Sequence, residues 1–257
     1  MPTFPSAGDH HHLVAALPKD ILVDVLARVA SQSPADLVSA KLTCKALLEA
    51  SGKDYIYRHV NIAEFPVISW KSDLSRVLFI DRCITSGNPE ALFRRGLIEY
   101  LSTLEIDSGL RHLGSAARSG HPESVYIYGL LMLCQGQQEE GMALLRSLKG
   151  GSRWLEMVRY CRERVSSVVR YRWVRNFTIL AGPEQNRGRI CSCRQERFAV
   201  LPSPESMGRG REGWASKEDA ELDFYAINRC RSCFWNHEAA AFCTMLRCGS
   251  WLLNYDN

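Results

Sequence analysis

Apolar positions recur at helical spacing along most of the chain. After Leu17-Pro18, one apolar stripe of a helix is formed by Ile21, Leu22, Val25, Leu26 and Val29. Proline suits the first turn of a helix because its missing N–H has no intrahelical acceptor there. Ser33-Pro34 predicts the start of a second helix, which continues to Ser51-Gly52. The pair carries more apolar surface than two helices need, so part of it is expected to face a partner.

The middle of the chain contains an internal repeat. Segment 87–96 matches segment 120–129 at two glycines, a proline and a glutamate, each displaced by 33 residues. A second match, Gly109 to Gly141, is displaced by 32 residues. A period in the low thirties with two short helices per unit is typical of a helical-hairpin solenoid. The glycines are expected to allow close helix crossing.

Residues 153–175 predict a further helix that is rich in arginine. Seven arginines against two glutamates, interleaved with tryptophan and tyrosine, could bind nucleic acid through phosphate contacts and stacking. The alternative is a capping helix of the solenoid with a solvated arginine face. We favour the capping helix.

These patterns predict a mainly α-helical chain in several parts. A flexible leader at 1–16 precedes a helical bundle at 17–65, and the repeat region with its capping helix occupies 70–180. Glycine, proline and serine concentrate at 183–219, which indicates a linker or long loop. A cysteine-rich helical module is expected at 220–257.

Composition adds limits on function. Apolar residues make up 46% and charged residues 23%, as in ordinary globular proteins, and the net charge of +4 is too small to indicate nucleic acid. No apolar run approaches the ~18–20 residues of a membrane span. The N-terminus lacks the basic and apolar regions of a secretory signal. We therefore expect an intracellular protein of the nucleus or cytoplasm, with no membrane partner.

The ten cysteines fall into two groups. Because the sequence has no export signal, the cysteines are interpreted as free thiols or metal ligands and not as disulfides. Four isolated ones in apolar helical patterns are interpreted as small buried hydrophobes: Cys44, Cys83, Cys134 and Cys161. A C-x-C pair and a C-x2-C pair in the last 67 residues suit one tetrahedral structural zinc, with ligands Cys191, Cys193, Cys230 and Cys233 and His237 as a substitute. The alternative is that these cysteines belong to a helical core.

Enzyme signatures are absent from the sequence. It contains no phosphate-binding glycine loop, no G-x-S-x-G, no H-E-x-x-H and no kinase motif set. A catalytic thiolate in the cysteine cluster would need an exposed cysteine of low pKa. We therefore expect a non-catalytic protein.

Two stretches resemble known families. Residues 17–60 resemble an F-box, through Leu17-Pro18 with its apolar helix and through the Cys44-Lys45 pair after the second helix. The tryptophan that follows this pair in the family is absent here. The repeats resemble Sel1-like repeats, relatives of tetratricopeptide hairpins, and Ala116-Ala-Arg-Ser-Gly-His121 is close to that family's signature. This order resembles a group of plant F-box proteins, some of which end in a MYND zinc finger, although the cysteine spacing here differs.

The resemblance implies a substrate receptor of an SCF-type cullin–RING ubiquitin ligase. The F-box would dock on a Skp-family adaptor, and the repeats or the C-terminal module would hold an unknown protein target. Carried over by position, the adaptor interface and the F-box core would share Leu17, Pro18, Ile21, Leu22, Val25, Leu26, Val29, Leu37, Val38, Leu42, Cys44 and Lys45. The sequence does not divide these residues between the two roles. The alternative function is a zinc-stabilised module outside a ligase that binds protein or nucleic acid.

Overall fold

The computed structural model describes residues 17–63, 65, 74–148, 153–169, 174–176, 179 and 230–249. Every regular element in these residues is helical and none is a strand, which confirms the mainly α-helical prediction. The predicted leader and linker lie outside the described residues. The described chain forms two compact units, and the division falls between Leu92 and Phe93.

Helices α1 to α5 form most of the first unit. Their bounds are Lys19–Gln32, Pro34–Lys41, Lys45–Ala50, Asp54–His59 and Leu74–Thr85. The core is built on the face of α1 that carries Leu22, Leu26 and Ala30, which packs with Leu37 of α2 and Ile56 of α4. Burial of each such side chain contributes roughly 1.5–3 kcal/mol, before the entropy cost of ordering it.

The segment 34–50, predicted as one helix, is two helices, and this part of the prediction is wrong. A turn at Leu42–Cys44 separates α2 from α3. The Thr43 hydroxyl donates a hydrogen bond of 2.8 Å to the Ala40 carbonyl, and Cys44 has extended backbone angles of φ −156° and ψ 161°. Local side-chain bonding of this kind competes with helix continuation. The start of α2 agrees with prediction, since the Ser33 hydroxyl accepts a 3.1 Å bond from the Asp36 N–H.

Helix α6, Pro89–Ile98, begins the first repeat. Its cap is Asn88, whose side-chain oxygen accepts a bond from the Ala91 N–H at 3.1 Å. The buried amide of Asn88 also donates to the carbonyls of Val60 at 2.8 Å and Tyr57 at 3.0 Å. Asn88 therefore starts a helix and satisfies two backbone carbonyls of the first unit at once.

The remaining helices belong to the second unit. They are α7 (Ile106–Arg118), α8 (Pro122–Cys134), α9 (Gln138–Arg146), α10 (Trp154–Val169) and α11 (Arg231–Gly249). A π-helical turn, Glu99–Thr103, follows α6 and ends at Leu104 in the left-handed region, with φ 64°. The hairpins α6–α7 and α8–α9 are the two predicted repeats.

The glycines of each hairpin lie where its helices cross. A Cβ added to Gly96 would lie 2.7 Å from Leu113 Cγ and 2.9 Å from the Gly109 carbonyl oxygen. In the second hairpin, a Cβ on Gly129 would lie 2.6 Å from Leu145 Cγ. Carbon atoms at such distances overlap, so only glycine permits this approach. The predicted close crossing is present in both repeats.

Helix α8 is the centre of the second unit. It packs against α7, α9, α10 and α11, and its apolar residues are buried on all sides, including Tyr126, Ile127 and Leu130. The C-terminal helix α11 thus belongs to the same compact unit as the repeats, whereas the sequence pattern presents it as a module of its own.

Candidate functional site

One face of α1 exposes large apolar side chains. Leu17, Ile21 and Val25 are 44%, 49% and 47% exposed, although they alternate with the buried Leu22 and Leu26. Ile21 and Val25 are four residues apart and lie on one side of the helix, whereas Leu17 precedes α1. Burial thereby assigns Leu22 and Leu26 to the core of the first unit and leaves the other three accessible to a partner.

Helix α2 and the turn after it also expose apolar side chains. Leu42 is 82% exposed and Val38 is more than half exposed, whereas Leu37 is buried. Pro18 is exposed, and Val29 and Cys44 are half-buried. The exposed Lys45 lies 3.9 Å from Glu49 in an i,i+4 pair. Leu37 is therefore a core residue. The resemblance had left it undivided between the interface and the core.

Several exposed apolar residues of the first unit were missed by the sequence analysis, among them one in α3 and one in α4. Leu48 of α3 is 55% exposed and Tyr55 of α4 is 48% exposed. Leu48 follows Leu47, which packs against the core of the first unit, and two adjacent residues of a helix cannot share one face. The adjacency of Leu47 and Leu48 was therefore the feature of the sequence from which an exposed Leu48 could have been predicted. We call Leu17, Ile21, Val25, Val38, Leu42, Leu48 and Tyr55 the exposed apolar set.

The predicted zinc ligands are described only in part. Cys191 and Cys193 lie outside the described residues. Cys230 directly precedes α11, and its sulfur accepts a hydrogen bond from the Cys233 N–H at 3.4 Å. Among the described residues, Cys230, Cys233 and His237 do not form a group whose ligand atoms all lie within 4.8 Å of one another. The zinc site stays a prediction.

The isolated cysteines have mixed environments. Cys83 and Cys161 are buried, as predicted, and burial raises the pKa of Cys83 to about 12. Cys44 and Cys134 are only half-buried, so the prediction is wrong in degree for these two. The sulfur of Cys134 lies 3.3 Å from that of Cys243 in α11.

The arginines of α10 face the protein more than was predicted. Arg162 is 3% exposed and donates from Nε to Glu238 of α11 at 2.7 Å, and a second bond joins its terminal nitrogen to the same carboxylate. The Tyr126 hydroxyl donates to Glu238 as well. Burial, followed by the charge of Glu238, raises the pKa of Tyr126 well above its ordinary value. Arg162 is therefore a core residue.

A second buried carboxylate accepts hydrogen bonds from other residues of α10. Glu123, at the start of α8, accepts bonds from Arg164 Nε at 3.1 Å and from the Tyr160 hydroxyl at 3.0 Å. Burial, together with the charge of Glu123, raises the pKa of Tyr160 to about 12. The prediction of a solvated arginine face is thus wrong for Arg162 and Arg164. Arginines that bind internal carboxylates, as these two do, offer little to phosphate.

None of the described helices combines the length and apolar character needed to cross a bilayer.

Comparisons with known proteins agree with this division of the chain. The family described as F-box-like matches residues 14–63, and the family described as plant tetratrico peptide repeats matches residues 62–170. The F-box protein At2g35280 of Arabidopsis thaliana is 31% identical over 148 residues, which cover 56% of this chain and 88% of that protein. The F-box protein At1g67340 of the same plant is 26% identical over 118 residues, which cover 44% of this chain and 31% of that protein.

The chain therefore belongs to the F-box protein family. Its repeats are of the plant tetratricopeptide kind, and the Sel1-like and MYND resemblances stay predictions. No solved structure matches the chain.

Proposed function

We propose that this protein is the substrate-recognition subunit of an SCF-type cullin–RING ubiquitin ligase. It docks on a Skp-family adaptor through the exposed apolar set and holds a target protein through the second unit. The chain itself binds and orients the target protein, and its partners carry out the ubiquitin transfer.

One observation carries this proposal. On α1 the core side chains and the exposed apolar side chains occupy different faces, so removing Ile21 or Val25 from water leaves the core of the first unit unchanged. Several large apolar side chains exposed on the helices of one compact unit are typical of a protein interaction site. The F-box family match at 14–63 covers the same helices, and a docked adaptor is the partner that this match implies.

The second unit has the features of a receptor. Helical-hairpin repeats stack into extended surfaces suited to protein binding. Ion pairs join α10 to α11 through Arg162 and Glu238 and α10 to α8 through Arg164 and Glu123. These pairs hold the three helices together, and a fixed surface loses less entropy when it binds a partner.

Co-purification with a Skp-family adaptor tests the proposal. The variants Val25→Glu and Leu42→Glu place a charge on the exposed apolar set, and Leu78→Glu is the matched control, since Leu78 is 60% exposed on α5. We expect wild type and the Leu78 variant to form a stoichiometric complex and the other two variants to lose it. Adaptor binding that survives both substitutions would contradict the proposed surface. A folded wild type without adaptor binding would contradict the ligase role.

A further inference from the structure

A pocket of about 250 Å³ lies where α9, α10 and α11 meet in the second unit. It is lined by Leu145, Arg146, Leu148, Trp154, Arg231 and Trp235. Trp235 and Leu145 are buried and form an apolar floor, whereas Arg146 and Arg231 are exposed and form a basic rim. The volume falls below the ~300–1,000 Å³ of pockets for drug-sized ligands, and therefore suits one or two amino-acid side chains.

Neither rim arginine has a carboxylate partner within the part of the chain that the structure describes. Arg231 instead lies over the Trp154 ring, with its guanidinium carbon 3.6 Å from the ring centroid. This cation–π contact holds the guanidinium plane at the rim of the pocket. Partial burial of the guanidinium lowers the pKa of Arg231.

Arg146 and Arg231 differ in their surroundings from Arg162 and Arg164 of the same unit. Arg162 and Arg164 are neutralised by the buried carboxylates of Glu238 and Glu123. Arg146 and Arg231 border a cavity, and among the described residues no carboxylate pairs with either of them. A preformed cavity with two unneutralised guanidinium groups is complementary to an anionic ligand.

The aromatic contacts favour a peptide over a nucleic acid. Single-stranded nucleic acids need open aromatic faces for their bases and a basic groove that tracks the backbone. Here the edge-to-face partner of Trp154 is Phe234 at 4.8 Å, and Arg231 covers its ring. Trp235 is 2% exposed. Arg162 and Arg164 of the neighbouring α10 are bound to carboxylates, so these two arginines offer no basic groove to a nucleic-acid backbone.

We propose that this pocket binds an acidic side chain, together with an apolar neighbour, in a segment of the target protein. The carboxylate or phosphate lies between Arg146 and Arg231, and the apolar neighbour packs against Leu148 and Trp154, the half-buried apolar residues of the lining. The inference rests on the proposed function in that it names the chemistry by which the second unit selects a target.

The test uses the full-length protein and an array of short peptides with blocked ends. Each peptide carries a central Glu, phosphoserine or Gln beside Leu, Trp, Ala or Gly. We expect Glu and phosphoserine peptides with a Leu or Trp neighbour to be retained and their Gln counterparts to be lost. The best binder is then titrated by fluorescence anisotropy against wild type, Arg146→Gln, Arg231→Gln and the control Arg111→Gln. Arg111 is exposed on α7 and does not line the pocket.

Each rim variant should weaken binding about tenfold or more, as expected for losing a charge-assisted hydrogen bond, and the control should bind as wild type does. The Trp154 ring is covered by Arg231, so Arg146→Gln keeps the test valid if Arg231→Gln disturbs Trp154. Equal binding of Glu and Gln peptides, or unchanged binding by Arg146→Gln, overturns the inference. Arg231-dependent binding of oligouridylate with no peptide binding also overturns it.

The adaptor experiment separates this inference from the proposed function. Val25→Glu should lose the adaptor and still bind the peptide, and Arg146→Gln should do the reverse. Adaptor binding without any peptide binding overturns only the pocket, and peptide binding without any adaptor binding overturns only the ligase role.

Discussion

Arg162 of α10 and Glu238 of α11 form a buried ion pair across 76 residues of chain, with Nε 2.7 Å from the carboxylate. The Tyr126 hydroxyl donates to the same carboxylate from α8. Three helices of the second unit therefore meet at one charged group that is fully buried. Removing either partner would leave the other charge buried without a counter-charge, so the loss of one partner destabilises the unit.

Glu238→Gln should destabilise the second unit by about 3 kcal/mol, since it leaves the Arg162 cation buried beside a neutral amide. The measurement is the free energy of unfolding from urea titration followed by circular dichroism. Glu140→Gln is the control, because Glu140 is an exposed residue of α9, and it should change stability by less than about 0.5 kcal/mol. Equal stability of the two variants would show that the pair does not hold α11 in place.

Gly129→Ala should cost about 2 kcal/mol, because the new Cβ would lie 2.6 Å from Leu145 Cγ in a packed interface. Gly52→Ala is the matched control: its Cβ would meet only the Glu49 carbonyl oxygen at 3.6 Å, an ordinary contact. Thermal unfolding of both variants measures the difference. A Gly129 variant as stable as the Gly52 variant would mean that the hairpins do not need this close crossing.

Glu99 should make stability sensitive to acid. Burial alone raises its pKa, but hydrogen bonds from Arg95 at 2.6 Å and His112 at 2.7 Å outweigh burial and lower it below the ordinary 4.5. A depressed carboxyl pKa stabilises the folded state above the unfolded value, and the contribution is lost as pH falls from 4.5 through the folded pKa. Glu99→Gln should therefore lose stability at pH 7 and show a shallower decline below pH 4.5 than wild type. Parallel pH profiles of unfolding free energy would contradict this assignment.

Mild oxidation should join Cys134 to Cys243. Their sulfurs lie 3.3 Å apart, and a disulfide needs about 2.05 Å, so a small shift of α11 against α8 suffices. Diamide accepts the two electrons and two protons that the thiols release and becomes a hydrazine. Peptide mapping by mass spectrometry should find this cross-link, and Cys134→Ser should abolish it. A product that pairs Cys134 with another cysteine would contradict the observed geometry.

Zinc content tests the predicted ligands Cys191, Cys193, Cys230 and Cys233. If these four cysteines hold one ion, purified protein should contain one equivalent of zinc by mass spectrometry of the metal, and Cys233→Ser should lower it. Cys243→Ser is the control, because Cys243 contacts Cys134. Wild-type protein without zinc would assign these cysteines to the helical core.

Local patterns determined much of the fold. The stripe from Ile21 to Val29 predicted α1, and Ser33-Pro34 predicted the start of α2, because caps and apolar periodicity act within one or two turns. The displacement by 33 residues predicted the paired hairpins and their close crossing, since a glycine is needed wherever two backbones approach. The break between α2 and α3 was missed because it depends on local bonding at Thr43, a weak signal against a continuous apolar pattern.

Only the tertiary structure decided which apolar and charged residues face inward. Ile21 and Leu22 are adjacent and similar in polarity, yet one is half exposed and the other is buried, because the packing of α4 against α1 determines which side is the core. Arg162 and Arg231 look equally solvated in sequence, but one pairs with Glu238 across the core and the other borders a pocket. Sequence periodicity fixes the faces of a helix, and the long-range contacts decide what each face meets.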